Sequence, residues 1–257
     1  MIPVHDVNPL RRAPVVTYAL IAANVVVFLL MPAAAHTLVG SNTAGQLCDL
    51  QAFFERWGAV PRELLGGHLP ALVPTGQATV IRSGAACLLG PADYTKSPVL
   101  SVLTAMFVHS SWSHLLGNML FLAVFGNNVE DRMGRGWYVL FYFVCGYAAG
   151  YGFAVLDPSS GGPLVGASGA IAGVLGAYLV LWPRARVWGL IPFLFFIPLK
   201  VPAWLMLGMW FVLQALYSTG FGTSSAGDVA YPAHVVGFVV GALLALPLRS
   251  RAMAKDT

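Results

Sequence analysis

The sequence predicts an all-α membrane protein with six transmembrane helices and both termini in the cytoplasm. Of the 257 residues, 58% are hydrophobic and 9% are charged, a composition typical of a chain that crosses a bilayer several times. Ten of the 14 Lys and Arg residues fall on one side of the predicted spans, and the other four lie in one long loop. The positive-inside rule makes the side with ten cytoplasmic. The net charge of +4 therefore reflects topology and does not indicate a nucleic-acid partner.

Six apolar segments are separated by polar or Gly- and Pro-rich loops, and each is predicted as a span. Small residues at Ala33–Ala35 are compatible with cleavage of the first segment as a signal peptide, but its length favours a retained span. The tails, 1–14 and 249–257, flank a membrane domain of residues 15–248. The spans are predicted at 15–31, 103–129, 137–156, 168–182, 201–217 and 231–248.

Two segments between the spans call for separate predictions. The loop 32–97 is extracytoplasmic in this topology, and the Gly- and Pro-rich part at 66–84 predicts irregular backbone. Residues 187–199 are apolar but contain two prolines, which favours an interfacial or hairpin segment. Since the long loop faces the oxidising side, Cys48 and Cys87 either form a disulfide there or remain two free thiols.

The fourth span is short and carries a hydroxyl at its start. At about 1.5 Å per residue it is roughly 22 Å long, against a hydrocarbon core of about 30 Å. Ser168, its first residue, is therefore expected below the outer membrane surface. Non-helical backbone at that depth must be buried in protein or face a water-filled cavity, which makes this hydroxyl a candidate for chemistry.

The predicted spans contain no Asp or Glu, so their polar residues are few and each is a candidate. Ser168 and His234 form a sensible pair, because a serine hydroxyl is a weak nucleophile until a neighbouring base takes its proton. The alternative for His234 is a hydrogen-bonded structural histidine, and for the glycines it is packing alone. Each residue lies on a small-residue face that permits close helix approach. The faces are Ser168, Ala172 and Gly176 on the fourth span and His234, Gly237 and Gly241 on the sixth.

The second span adds His114 and Asn118, four residues apart on one helix face. Both side chains can donate a hydrogen bond, so together with the backbone N–H of Ser168 they could stabilise an oxyanion. Interhelical hydrogen bonding is the alternative for these two residues. A metal site built from His109, His114 and His234 is disfavoured, because no carboxylate or thiolate lies at a useful spacing.

These motifs, in this order along the chain, resemble the rhomboid intramembrane serine proteases, over residues from about Trp57 to Gly241. The segment FVHSSWSHLLGNMLFLAVFG contains the family's His-x-x-x-Asn, and a Glu-x-Arg motif follows it. GASG matches the family's Gly-x-Ser-Gly, and AHVVGFVVG matches its last-span motif. The matching positions are His114, Asn118, Glu130, Arg132, Gly166, Ser168, Gly169, His234, Gly237 and Gly241.

The resemblance implies a serine endopeptidase that cleaves membrane proteins in or near their transmembrane segments, with Ser168 as nucleophile and His234 as general base. His114, Asn118 and the Ser168 amide then bind the oxyanion, and no metal or cofactor is needed. The expected setting is a bacterial plasma membrane. Many family members carry an aromatic residue where this chain has Ala172, which leaves open what orients His234.

Two other functions stay open on the sequence. A rhomboid-fold protein without proteolysis could bind membrane clients, although the retained Ser168 and His234 speak against this. A small-solute transporter is disfavoured by the missing intramembrane carboxylates and by the lack of an inverted repeat.

Overall fold

A computed structural model describes residues 2–38, 41–66, 72–81, 84–191, 197–221 and 229–253. The helices in chain order are α1 (Val15–Leu29), α2 (Ala44–Trp57), α3 (Pro61–Gly66), α4 (Pro98–Ala105), α5 (Trp112–Phe121), α6 (Asn127–Met133), α7 (Arg135–Leu156), α8 (Ser168–Leu181), α9 (Ala203–Ser218) and α10 (Tyr231–Met253). A short π-helix, Leu122–Gly126, joins α5 to α6 without a break.

Two small antiparallel sheets accompany the helices, so the all-α prediction holds for the spans and is incomplete elsewhere. One sheet has the order β1–β4–β5, and β2 and β3 form a separate hairpin. The segment 187–199 is predicted to be interfacial or a hairpin. The antiparallel pairing of β4 with β5 agrees with the hairpin alternative, and residues 192–196 lie outside the described part. The strands are β1 (Ile2–Asp6), β2 (Val73–Ile81), β3 (Gly84–Gly90), β4 (Arg186–Ile191) and β5 (Ile197–Pro202).

The predicted second span, 103–129, is wrong at both ends. The chain leaves helix after α4, stays non-helical through residues 106–111, and then runs as helix from Trp112 to Met133. The physical reason is a cap: the Ser111 hydroxyl accepts a hydrogen bond from the N–H of His114 at 3.2 Å, which starts a new helix there. The other five spans begin at or within two residues of their predicted starts.

Within the described residues, two helices are long and apolar enough to cross a bilayer alone, Arg135–Leu156 and the Tyr231–Arg249 part of α10. Val15–Leu29, Ser168–Leu181 and Ala203–Ser218 are shorter apolar helices. The count of six spans and the cytoplasmic location of both termini therefore stay predictions.

The chain divides into two compact units, and the first comprises Met1–Ile21, Gly117–Gly152 and Ser168–Thr257. Its centre is the packing of α8 on α10, where backbone lies against backbone. An added Cβ on Gly237 would overlap the carbonyl of Gly169, and one on Gly241 would overlap that of Gly173. The predicted close approach is confirmed, but the face of α8 that makes it is Gly169, Gly173 and Gly176.

The N-terminal strand is tied to this unit by a buried carboxylate. Asp6 is 2% exposed and accepts hydrogen bonds from the Tyr178 hydroxyl and the Asn128 amide, both at 2.7 Å. Burial raises the pKa of Asp6 above its ordinary value, and the bond from Tyr178 opposes that rise. Since Tyr178 lies on α8, the strand fixes one end of the helix that begins with Ser168.

The second unit comprises Ala22–Leu116 and Phe153–Ala167. In this unit a disulfide joins Cys48 on α2 to Cys87 on β3. Of the two alternatives for these cysteines, the structure therefore has the disulfide and not two free thiols. The irregular backbone expected at 66–84 is wrong for β2, which pairs with β3; residues 67–71 and 82–83 lie outside the described part.

A buried ion pair also ties this loop together. The Lys96 ammonium lies 2.8 Å from the Glu63 carboxylate and donates to the Glu55 carbonyl at 2.6 Å. Burial raises the pKa of the Glu55 carboxyl, and the charge of Lys96 opposes that rise. A disulfide and a buried ion pair therefore both tie the long loop together.

We expect Gly241→Ala to destabilise the protein, because the new Cβ overlaps the Gly173 backbone, which cannot move without shifting a helix. Overpacking of this kind costs about 1–3 kcal/mol. The matched control is Gly208→Ala on α9, where an added Cβ meets nothing within 4 Å. Unfolding midpoints in detergent measure both variants, and equal midpoints would contradict the tight α8–α10 contact.

Candidate active site

Ser168 is the first residue of α8 and is half-buried. The chain just before it is fixed by backbone hydrogen bonds: Leu164 pairs with Ala59 in both directions, and the Gly166 N–H donates to the Ala105 carbonyl at 2.9 Å. Gly166 has φ +115°, a conformation that L side chains rarely adopt. The first glycine of the GASG motif is therefore required by the backbone that leads into the serine.

Gly169, directly after Ser168, is required by packing. A Cβ at this position would lie 2.6 Å from the Cβ of Ala149 on α7. The Gly169 carbonyl is also the atom against which Gly237 packs. The second glycine of the motif thus lets α8 approach two neighbouring helices near the serine.

His234 lies in the first turn of α10, and its Nε2 is 2.7 Å from the Ser168 hydroxyl oxygen. The structure therefore brings together the two residues that sequence analysis paired. Both are half-buried, so neither is sealed from solvent or substrate. The hydrogen bond has the length and partners that proton transfer from serine to histidine requires.

Gln214, on α9, contacts the other side of the same imidazole and was missed by sequence analysis. Its side-chain carbonyl oxygen, Oε1, lies 2.7 Å from His234 Nδ1. An amide oxygen accepts, so Nδ1 carries the proton and Nε2 presents its lone pair to the Ser168 hydroxyl. The available signal was that Gln214 is the one amide side chain in the predicted span 201–217.

Aromatic rings approach His234 from α9 and from its own helix. The ring centroid of Trp210 lies 6.1 Å from that of His234, and the centroid of Tyr231 lies 6.3 Å away in an edge-on arrangement. Ala172, on α8, is fully buried. Aromatic contacts to the imidazole thus come from Trp210 and Tyr231, while position 172 carries a small residue.

His114 and Asn118 lie one turn apart on α5. The Nδ1 of His114 accepts from the backbone N–H of Ser110 at 3.4 Å and is 3.1 Å from the Ser110 hydroxyl. An accepting Nδ1 leaves the proton of a neutral imidazole on Nε2, which makes that nitrogen a donor. Asn118 is 8% exposed. The oxyanion role of these two residues stays a prediction.

Glu130 and Arg132 tie helices together away from the serine. The Glu130 carboxylate accepts from the N–H groups of Val16 and Thr17, at 3.0 and 2.7 Å, and from the Thr17 hydroxyl at 2.8 Å. A carboxylate at the start of α1 satisfies donors that the helix leaves unpaired and complements its dipole. The Arg132 guanidinium donates to the Leu248 carbonyl on α10 at 2.6 Å.

Within the part of the chain that the structure describes, no group of three or more His, Cys, Asp or Glu side chains is arranged to hold a metal ion. The site brings a hydroxyl, an imidazole and an amide together in series. Such a series activates a serine towards a carbonyl carbon, which is the first step of acyl transfer.

The structure thus combines apolar helices with a serine and a histidine in hydrogen-bond contact. Comparison with known families makes the assignment specific: residues 96–251 match the Rhomboid domain. The chain belongs to the rhomboid family, whose members are generally intramembrane serine proteases.

Named relatives agree with this family. The chain is 30% identical to Rhomboid protein 1, mitochondrial, of Saccharomyces cerevisiae over 59% of this chain and 42% of that protein. It is 32% identical to Rhomboid-like protein 11, chloroplastic, of Arabidopsis thaliana over 55% of this chain and 50% of that protein. The chain thus matches half or less of the length of these relatives. Their organellar names do not support the predicted bacterial plasma membrane, while a membrane location follows from the family.

We expect Glu130→Gln to lower the free energy of unfolding by about 1–3 kcal/mol, because an amide nitrogen would face donors that now meet carboxylate oxygens. Asp131→Asn makes the same change of charge at the next residue, whose half-buried carboxylate accepts one hydrogen bond, from the backbone N–H of Arg11. Chemical unfolding in detergent compares the two. An equal loss of stability in Asp131→Asn would contradict the conclusion that Glu130 stabilises the protein by capping α1.

Proposed function

We propose that this protein is an intramembrane serine endopeptidase that hydrolyses peptide bonds in or near the transmembrane segments of other membrane proteins. The observation that carries the proposal is the 2.7 Å contact between the Ser168 hydroxyl and His234 Nε2. Even a half-buried polar pair in a membrane domain is costly unless it is used or satisfied. Family membership supports the same reaction class.

In the proposed mechanism the Ser168 oxygen attacks the carbonyl carbon of the scissile bond while its proton moves to His234 Nε2. The tetrahedral intermediate collapses, His234 gives that proton to the leaving amine, and an acyl-enzyme ester remains. Water then attacks the ester while His234 Nε2 takes its proton. The second intermediate collapses with cleavage of the ester bond, His234 returns the proton to the Ser168 oxygen, and the new carboxylic acid departs.

The negative oxygen of the intermediate needs donors that are already in place. We assign them to the Nε2–H of His114, the amide of Asn118 and the backbone N–H of Ser168. Ser168 supports the assignment because it begins α8, where helix N–H groups lack intrahelical acceptors and the helix dipole is positive. The protonated Nε2 inferred for His114 supports it as well.

The substrate must present an accessible backbone to a half-buried serine. A peptide bond within a helix is shielded by its own hydrogen bonds and side chains, so segments with weak helix propensity are the expected substrates. The proposal retains the six-span topology with both termini cytoplasmic, which puts Ser168 towards the outer face. A catalytically silent member of the family that binds membrane clients is the alternative function.

We expect a fluorophosphonate probe to label purified protein in detergent and to fail with Ser168→Ala and His234→Ala. The probe reports an activated serine hydroxyl. Ser159→Ala, in an exposed loop, and His5→Ala, on an exposed strand residue, are the matched controls and should label normally. Absence of labelling in folded wild type would favour the client-binding alternative.

We expect His114→Ala and Asn118→Ala each to slow labelling by about 10²–10³-fold, because each removes one donor to the developing negative oxygen. The second-order rate of probe attachment measures this, with unfolding midpoints recorded for each variant. Leu116→Ala, an exposed residue of the same helix, controls for a general effect of truncating α5. Rates equal to wild type in both donor variants would contradict the oxyanion assignment.

A further inference from the structure

We infer that Gln214 is a positioning residue for the serine–histidine pair: its side-chain carbonyl holds the imidazole of His234 in the tautomer that can accept the serine proton. The inference rests on the proposed function for its consequence in catalysis. Its structural content, the tautomer of one histidine, is measurable without any peptidase activity.

Ser168, His234 and Gln214 form a hydrogen-bonded series across three helices. The Ser168 hydroxyl on α8 contacts His234 Nε2 on α10, and His234 Nδ1 contacts Gln214 Oε1 on α9, with 2.7 Å in each case. A neutral imidazole has one N–H and one lone pair. Because Oε1 accepts only, the N–H lies on Nδ1 and the lone pair faces the serine.

Without that acceptor the tautomer would be free to reverse. A proton on Nε2 would leave no lone pair for the Ser168 hydroxyl, and the base would be lost although every atom stayed in place. Serine proteases with a triad use a carboxylate for this purpose. A neutral amide performs the orienting part of that role and adds no negative charge, which suits a site below a membrane surface.

Among the neighbours of the imidazole given by the described contacts, Gln214 is a polar side chain with the right geometry for this role. Ala172, on α8, has no polar atom beyond its backbone. The Trp210 ring on α9 contacts the imidazole and carries no ionisable group. Tyr231, on α10 itself, also contacts the imidazole and is titratable. Rings limit how the imidazole tilts, but they do not select which nitrogen carries the proton.

The first experiment compares Gln214→Leu and Gln214→Glu with wild type in the pH dependence of kcat/KM. Leu removes the acceptor, so kcat should fall on the order of ten- to hundredfold with KM unchanged. Loss of an acceptor also disfavours the charged imidazolium, so the acid limb of the profile should move to lower pH.

Glu restores an acceptor and adds a negative charge beside Nδ1. Activity should therefore return towards wild type above the acid limb, and that limb should move to higher pH by about one unit or more. Met209→Leu, an exposed position on the same helix, is the control and should leave the profile unchanged. If Gln214 had only a structural role, both variants would have a lower active fraction, and the acid limb of the kcat/KM profile would stay at the wild-type pH.

The second experiment reads the tautomer directly. Nitrogen-15 spectra of protein labelled at its six histidines distinguish protonated from unprotonated ring nitrogens, and His234→Ala assigns the signals. Wild type should show a protonated Nδ1 and an unprotonated Nε2, and Gln214→Leu should shift both signals towards the average of two tautomers.

The outcomes separate the two proposals. If wild type shows the Nδ1–H tautomer, Gln214→Leu loses it, and no peptidase activity is found, the inference stands and the proposed function fails. If wild type carries the proton on Nε2, or if Gln214→Leu leaves the tautomer unchanged, the inference is overturned whether or not the protein is a protease.

Discussion

The helices α8 and α10 approach so closely that glycine backbone contacts glycine backbone, and the candidate site depends on that contact. Gly237 packs on the Gly169 carbonyl and Gly241 on that of Gly173, so no larger residue fits at either position. The approach sets the distance between the first turns of the two helices. Those turns carry Ser168 and His234, whose 2.7 Å hydrogen bond follows from helix packing rather than from a flexible loop.

The packing of α8 on α10 also explains why polar groups are tolerated in so apolar a chain. An unpaired hydroxyl, imidazole or amide inside a membrane domain is expensive, but in series each satisfies the next. Ser168, His234 and Gln214 form such a series across α8, α10 and α9. One arrangement therefore both pairs the polar groups and activates the serine. The His234 tautomer that donates to Gln214 is also the tautomer that can accept the Ser168 proton.

Sequence analysis found the parts of the site that local patterns encode. Small residues at helical spacing predicted that Ser168 and His234 would meet, and the GASG and AHVVGFVVG motifs pointed to the same pair. Gln214 was missed because it lies 20 residues from His234, and a lone amide in an apolar helix does not say towards which neighbour it points. The break before α5 was missed because averaged hydropathy does not detect one serine cap, and β1 because its partner lies far along the chain.

We propose that the Ser168–His234 pair hydrolyses peptide bonds of membrane-embedded substrates. The most direct test reconstitutes the protein in liposomes with single-span reporter proteins whose transmembrane segments vary in helix propensity, in water enriched in oxygen-18, and sequences the products by mass spectrometry. We predict new termini in or beside the weakest helices, oxygen-18 in each new carboxylate, and neither with Ser168→Ala. Intact reporters beside folded wild-type protein, or equal cleavage by Ser168→Ala, would contradict the claim.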